Sequence, residues 1–335
     1  MSEPNENFQP PPPPPLAEPA PRAPRPTNLR PVAIAAFVVG LIVLGLSIAK
    51  VLPGGPAPGG VLAFMGIVLF ALSFIPLPVI PDAEAPMSAL QKLSGVFFEP
   101  STVFRNLRAH PRWVAAYILI TLLGVVYTNA FTQRLTPEKI VNFRVDKVAE
   151  LPAPFTPPPE RIEAMRTEGI EQLRSPIQRV LGVVSMASAI FFFTALIAAI
   201  YMLATLAFGG RVNFWQAVAV MFYSAVPITV IQKVLSLVIL YVKSPDDIHP
   251  ILNADNLVQD NLGILLAPAN HPVLFVIASS IGLLSFYGLW LKATGLRNGG
   301  TKVSKGVAWG VAVTIWILGL LLASGMTALF PQFIS

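Results

Sequence analysis

The stretch Val180–Phe208, VLGVVSMASAIFFFTALIAAIYMLATLAF, contains no Asp, Glu, Lys, Arg or His. A bilayer core of about 30 Å takes about 20 apolar residues in helical form, and in lipid the backbone must pair its own polar groups. The stretch is therefore a membrane helix. Six further apolar runs repeat the pattern, at Val32–Ala49, Val61–Leu77, Trp113–Phe131, Phe214–Val242, Pro272–Leu291 and Gly306–Phe330. Seven expected spans make an all-α, polytopic transmembrane helical bundle. The composition, 54% hydrophobic and 12% charged, agrees, since ordinary soluble domains carry about 25% charged residues.

The formal net charge of the 335 residues is +6, and its placement says more than its sum. Basic residues cluster beside the runs, which points to anionic lipid headgroups as partners and away from nucleic acid. Counting the tail and alternate short connections places twelve Lys and Arg on one side, among them Arg30, Arg105, Arg108, Arg112, Arg211 and Lys305. Only Lys50 and Lys243 fall on the other. By the positive-inside rule the N-terminus is expected in the cytoplasm and Ser335 outside it. The chain has no cysteine, which excludes disulfides, thiolate metal sites and cysteine nucleophiles.

Residues 1–31 form a proline-rich segment with six consecutive prolines, Pro10–Pro15. Such a composition favours extended, solvated chain, so a disordered cytoplasmic tail is expected, with docking to a proline-recognition domain as the alternative. Residues 32–80 are expected to form a transmembrane hairpin turning at Leu52–Gly60, which is rich in Pro and Gly. A small-x-small cleavage site is missing after the first run, so it is expected to be a retained helix. The long connection 132–179, with eight basic and seven acidic residues, is expected outside the cytoplasm. It breaks at Pro152–Pro159 and resumes as a surface helix over Glu160–Arg179. The fifth run is too long for one straight crossing, so a kink at Pro227 is expected, with Gln232 and Lys233 marking the outer interface. Asn253–Leu266 suits a short amphipathic piece on the outer surface.

The most distinctive string is Gly95-Val-Phe-Phe-Glu-Pro-Ser-Thr-Val-Phe-Arg-Asn-Leu-Arg-Ala-His-Pro-Arg-Trp113. Ser101 can cap a helix after Pro100, whose ring is tolerated at a helix start. Val103, Phe104 and Leu107 then share one face while Arg105, Arg108 and Arg112 project elsewhere. Phe97 and Phe98 add apolar anchors, and Trp113 suits the headgroup level. The expectation is an interfacial helix on the cytoplasmic leaflet, serving general anchoring or specific recognition of lipid or protein.

The pattern Phe-Phe-Glu-Pro-Ser-x-Val-Phe-x-x-Leu-x-x-x-Pro-Arg-Trp over 97–113, followed by five spans, resembles bacterial members of the Yip family. The long charged loop after the third run and Phe222-Tyr-Ser-Ala-Val-Pro227 add to the likeness. The resemblance covers Met87–Phe330 and implies a five-span domain over 87–331 and residence in a membrane, here a bacterial inner membrane. Eukaryotic members of the family act in vesicle traffic.

Within the runs Lys233 is the only charge. A lysine at the bilayer centre marks function, whereas one near a helix end can snorkel to the interface. No Asp, Glu or His lies within a run to carry protons for ion-coupled transport. Gly306, Gly310 and Thr314, then Gly319, Ala323 and Thr327, form small-residue stripes that suit close packing within the bundle or between protomers. The three histidines lack metal-site spacing, and phosphate-loop and nucleophile motifs are missing. The chain is thus expected to be a non-enzymatic membrane-organising or adaptor protein without cofactor or metal. Its partners would be anionic lipids, with other proteins or a second copy of the chain beside them. The competing expectation is a transporter, channel or flippase-like protein with a path near Lys233.

Overall fold

The computed structural model describes residues 24–52, 55–81, 83–152 and 155–331. The Pro10–Pro15 segment and the expectation attached to it lie outside these residues. Among the described residues the protein is helical, with no β-strand beyond two isolated bridges. Five helices are long and apolar enough to cross a membrane. They are α1 (Leu29–Ile48), α5 (Val114–Leu135), α8 (Pro176–Ala207), α9 (Phe214–Val242) and α12 (Lys305–Leu329).

The second apolar run becomes the shorter α2 (Ala57–Leu72). It packs on α1 backbone against backbone, through glycine. A Cβ on Gly40 would lie 2.3 Å from the Ala63 nitrogen, and one on Gly66 would lie 2.5 Å from the Phe37 nitrogen. Without a hydrophobic driving force between helices in lipid, such close approach is how they associate.

The sixth run differs from one continuous helix. It divides into α10 (Pro272–Ser279) and α11 (Leu283–Gly299), with the break at 280–282. Gly282 pairs in an antiparallel bridge with Asn261. Leu262 N donates to the Ile281 carbonyl at 3.1 Å, Leu283 N to the Asp260 carbonyl at 3.4 Å, and Leu284 N to Asp260 Oδ2 at 2.6 Å. The loop before α10 thus takes over the backbone groups that a continuous helix would pair internally. A Cβ on Gly282 would meet Asn261 Cβ at 2.9 Å, so the residue at the break must be small.

Between α2 and α5 lie α3 (Ala89–Phe98) and α4 (Pro100–Ala109); between α5 and α8 lie α6 (Pro137–Ala149) and α7 (Pro159–Arg174). The expected surface helix is α7. The charged segment before it is also helical, as α6, and turns off α5 at Thr136, whose φ is 69°. The two pair through Arg166 with Asp146 (2.9 Å) and Arg174 with Glu138 (2.7 Å).

The core centres on α9, which runs unbroken through Pro227; every residue from Phe214 to Ser224 is buried. A helix apolar all round belongs in the interior, and α5, α8, α11, α3 and α4 surround this one. Most of the two stripes on α12 faces away from the bundle: Gly310 and Gly319 have no atom within 4 Å of where a Cβ would sit and Thr314 and Ala323 are exposed, while Thr327 at the end of the second stripe is buried. With Thr327, the helix turns Ala308, Val311 and Ala312 inward.

Candidate site at the α3–α4 hairpin

The helical hairpin α3–α4 holds most of the candidate residues. A reciprocal capping box starts α3, with Gln91 N donating to Ser88 Oγ (3.2 Å) and Ser88 N to Gln91 Oε1 (2.8 Å). Such a box satisfies two otherwise orphaned donors at the helix start. Glu99 is the single hinge residue, and Pro100 opens α4 in the first-turn position that suits its ring. Ser101 is exposed and caps nothing.

Phe104, Val103 and Leu107 are fully buried, so the apolar face of α4 turns into the bundle. Phe104 fits against a glycine surface of α11, where a Cβ on Gly295 would lie 3.2 Å from its ring. Trp113 also faces inward, stacked on Phe222 at 5.5 Å and 5.0 Å from the ring of Phe191. What α3–α4 leaves outside is Phe98, 84% exposed, and Leu90, 76% exposed, with Arg105 and Arg112 also exposed. Phe97 and Arg108 are half-buried.

Side chains that the sequence reading did not single out clamp this hairpin in place. Asn106 accepts from Met87 N (3.2 Å) and donates to the Ala85 carbonyl (2.9 Å), while His110 Nε2 donates to the Glu84 carbonyl (2.8 Å). At the start of α9, Gln216 Nε2 donates to the Arg108 carbonyl (2.7 Å). Next to it Trp215 Nε1 donates to the Ile75 carbonyl (3.1 Å), and Asn213 Nδ2 to the Pro76 carbonyl (3.1 Å). Two signals for this clamp stood in the sequence, the capping patterns Ser88-x-x-Gln91 and Asn213-x-x-Gln216.

The electrostatics of the hairpin are lopsided. Lys92 is buried on the inner face of α3, and its Nζ has no hydrogen-bond partner among the described residues; nor does Arg108 Nε. Burial, and then the Arg112 charge, lower the Lys92 ammonium to about 8. An unpaired buried cation disfavours its own charged form, so the exposed positive charge of the hairpin comes from Arg105 and Arg112 rather than from Lys92.

Lys233 and Gln232 lie at the opposite end of the bundle from α3–α4, and the structure does not bring the two groups together. Lys233 Nζ donates to the Asp255 carbonyl and sits 4.6 Å from the centre of the Tyr127 ring. Tyr127 Oη donates to the Asn253 carbonyl (2.6 Å), and Ser236 Oγ accepts from Leu257 N (2.8 Å). Together these bonds fasten the 253–257 loop onto α5 and α9. His249 Nδ1 accepts from the backbone N–H groups of Ile251 (3.1 Å) and Leu252 (3.0 Å). Among the described residues no three His, Asp or Glu gather as metal ligands do.

A family model described as the Yip1 domain matches residues 94–326, from within α3 to near the end of α12. No curated protein and no solved structure matches the chain.

Proposed function

We propose, from the premise that this chain belongs to the Yip1 domain family, that it is a non-enzymatic membrane-organising or adaptor protein working through its α3–α4 hairpin. Membership and the apolar helices make it an integral, multi-pass membrane protein. One observation carries the finer reading. Phe98, Leu90, Arg105 and Arg112 are all exposed on one helical hairpin, while Val103, Phe104 and Leu107 of the same hairpin are locked into the core. Exposed apolar tips flanked by cations suit a surface that meets anionic headgroups, each basic residue contributing about 1 kcal/mol of attraction. In this reading the hairpin faces the cytoplasm, on the side favoured by the lysine and arginine bias.

The chain has no cysteine, so Phe98→Cys gives a single labelling point in the full-length protein. An environment-sensitive fluorophore there should report a more apolar setting in anionic than in neutral vesicles. Adding Arg105→Glu and Arg112→Glu should abolish the difference. Equal emission in both vesicle types, unmoved by the charge reversals, would rule out the hairpin as the lipid-facing element.

A further inference from the structure

We propose that a groove between α2, α5 and α8 binds a phospholipid, holding one acyl chain along the α5–α8 seam and the phosphate at Arg179. Towards the α4 end the seam is closed. There Tyr117 Oη donates to the Ala187 carbonyl (3.1 Å), and Phe64 of α2 meets Phe192 of α8 at 5.5 Å between ring centres. A Cβ on Gly124 would still lie 3.7 Å from Met186. Beyond that level the helices part and leave a cavity of about 530 Å³, within the roughly 300–1,000 Å³ of small-molecule sites.

The lining is graded. Val125, Val183 and Met186 form its apolar part, with open space over Gly182, where no atom lies within 4 Å of a Cβ position. Nearer α7 the lining becomes amide and hydroxyl groups, with Thr132, Gln133, Gln172 and Gln178. Among the described residues, Arg179 is the single ionisable group in the lining. Its Nε donates to the Leu173 carbonyl (2.8 Å) and its Nη2 to the Arg174 carbonyl (3.3 Å), which fixes the guanidinium and leaves Nη1 without a partner among the described residues. An apolar trough that ends in neutral hydrogen-bonding groups and one oriented cation is complementary to an amphiphile with an anionic head.

The surroundings favour a lipid over a soluble anion. Val126, Ile177 and Val180, beside the groove on α5 and α8, are 44%, 50% and 63% exposed. These are apolar walls that face lipid in a spanning helix, so a chain can enter sideways. The third wall comes from Ala57 and Pro58 at the start of α2, outside the residues that match the family. The groove therefore belongs to the combination of hairpin and family domain, and it stands apart from the α3–α4 surface.

The test uses full-length protein in nanodiscs containing a phosphatidylglycerol with a photoreactive group on one acyl chain, with the labelled residues mapped by mass spectrometry. Labelling should concentrate on Val125 and on residues 182–186. Gly182→Phe fills open space and should cut labelling there without lowering thermal stability. Arg179→Gln removes a charge-assisted bond and should weaken capture about tenfold, with phosphatidylcholine captured less well by the unaltered protein. Labelling spread evenly over the lipid-facing helices and unchanged by Gly182→Phe would overturn the site. Labelling that Gly182→Phe abolishes but Arg179→Gln leaves intact would overturn the phosphate assignment. Capture of a photoreactive free fatty acid in preference to the phospholipid would overturn the choice of ligand.

Discussion

The two ends of this bundle are fastened by different chemistry. At the end bearing α3 and α4, Asn106, Asn213, Trp215 and Gln216 donate to backbone carbonyls around a buried aromatic core. At the end bearing α6 and α7 charged or titratable fasteners stand beside the neutral bonds of Tyr127 and Ser236. Lys139 meets Asp246 at 2.8 Å, Arg166 meets Asp146, Arg174 meets Glu138, and His249 caps a turn. Neutral bonds in a packed interior respond little to salt or pH, whereas exposed ion pairs are screened and a histidine titrates near neutrality. Apart from His110 on the Glu84 carbonyl, the first end is held by neutral bonds, and the exposed ion pairs are concentrated at the other.

The largest expected effect tests the first half of that contrast. Phe104→Ala would empty the space against Gly295 and should cost about 3–5 kcal/mol, as aromatic truncations in cores do. Unfolding of the purified protein should show the loss at every salt concentration and pH. A cost that vanished in high salt would break the contrast.

A smaller effect belongs to the other end. Burial, and then the Lys147 charge, hold the His249 imidazole below its ordinary range. The unfolded chain therefore takes up the proton first as the pH falls. The contribution of His249 is complete above the ordinary histidine value of about 6.5. It is lost as the pH drops through the lowered folded value. Thermal stability measured from pH 8 downward should decline across that window, and His249→Gln should flatten the slope.

The smallest effect is expected from Asp246→Asn, which removes an exposed ion pair. Any loss should be measurable only at low salt and vanish at high salt. A large, salt-insensitive cost would mean that this end is held by something other than charge.

The sequence showed most clearly what depends on length and polarity alone. Long apolar runs such as Val180–Phe208 and Phe214–Val242 became helices, and the charged segment over 160–174 became α7. What escaped it depended on partners distant in the chain. The sixth run is as apolar as the others, and its break is caused by Asp260 and Asn261, some twenty residues earlier. Phe104 looked like a lipid anchor because nothing near it in sequence announces the glycine surface at Gly295. The small-residue stripe was visible on α12, where Gly310, Gly319 and Ala323 face outward. On α2 the same kind of stripe, Gly59, Ala63 and Gly66, lies on α1. A spacing of small residues states that a close approach is possible, but not which neighbour makes it.

The glycine seam between α1 and α2 also bears on the order in which the protein is made. Gly40, Gly59, Ala63 and Gly66 find their partners inside a segment that ends at Leu72. Among the later surfaces that this hairpin meets is Phe192 on α8, more than a hundred residues further along the chain. Local contacts close quickly and N-terminal units form first during synthesis. The hairpin can thus complete its internal packing in the membrane as a free-standing pair, and the later helices arrive to a finished wall.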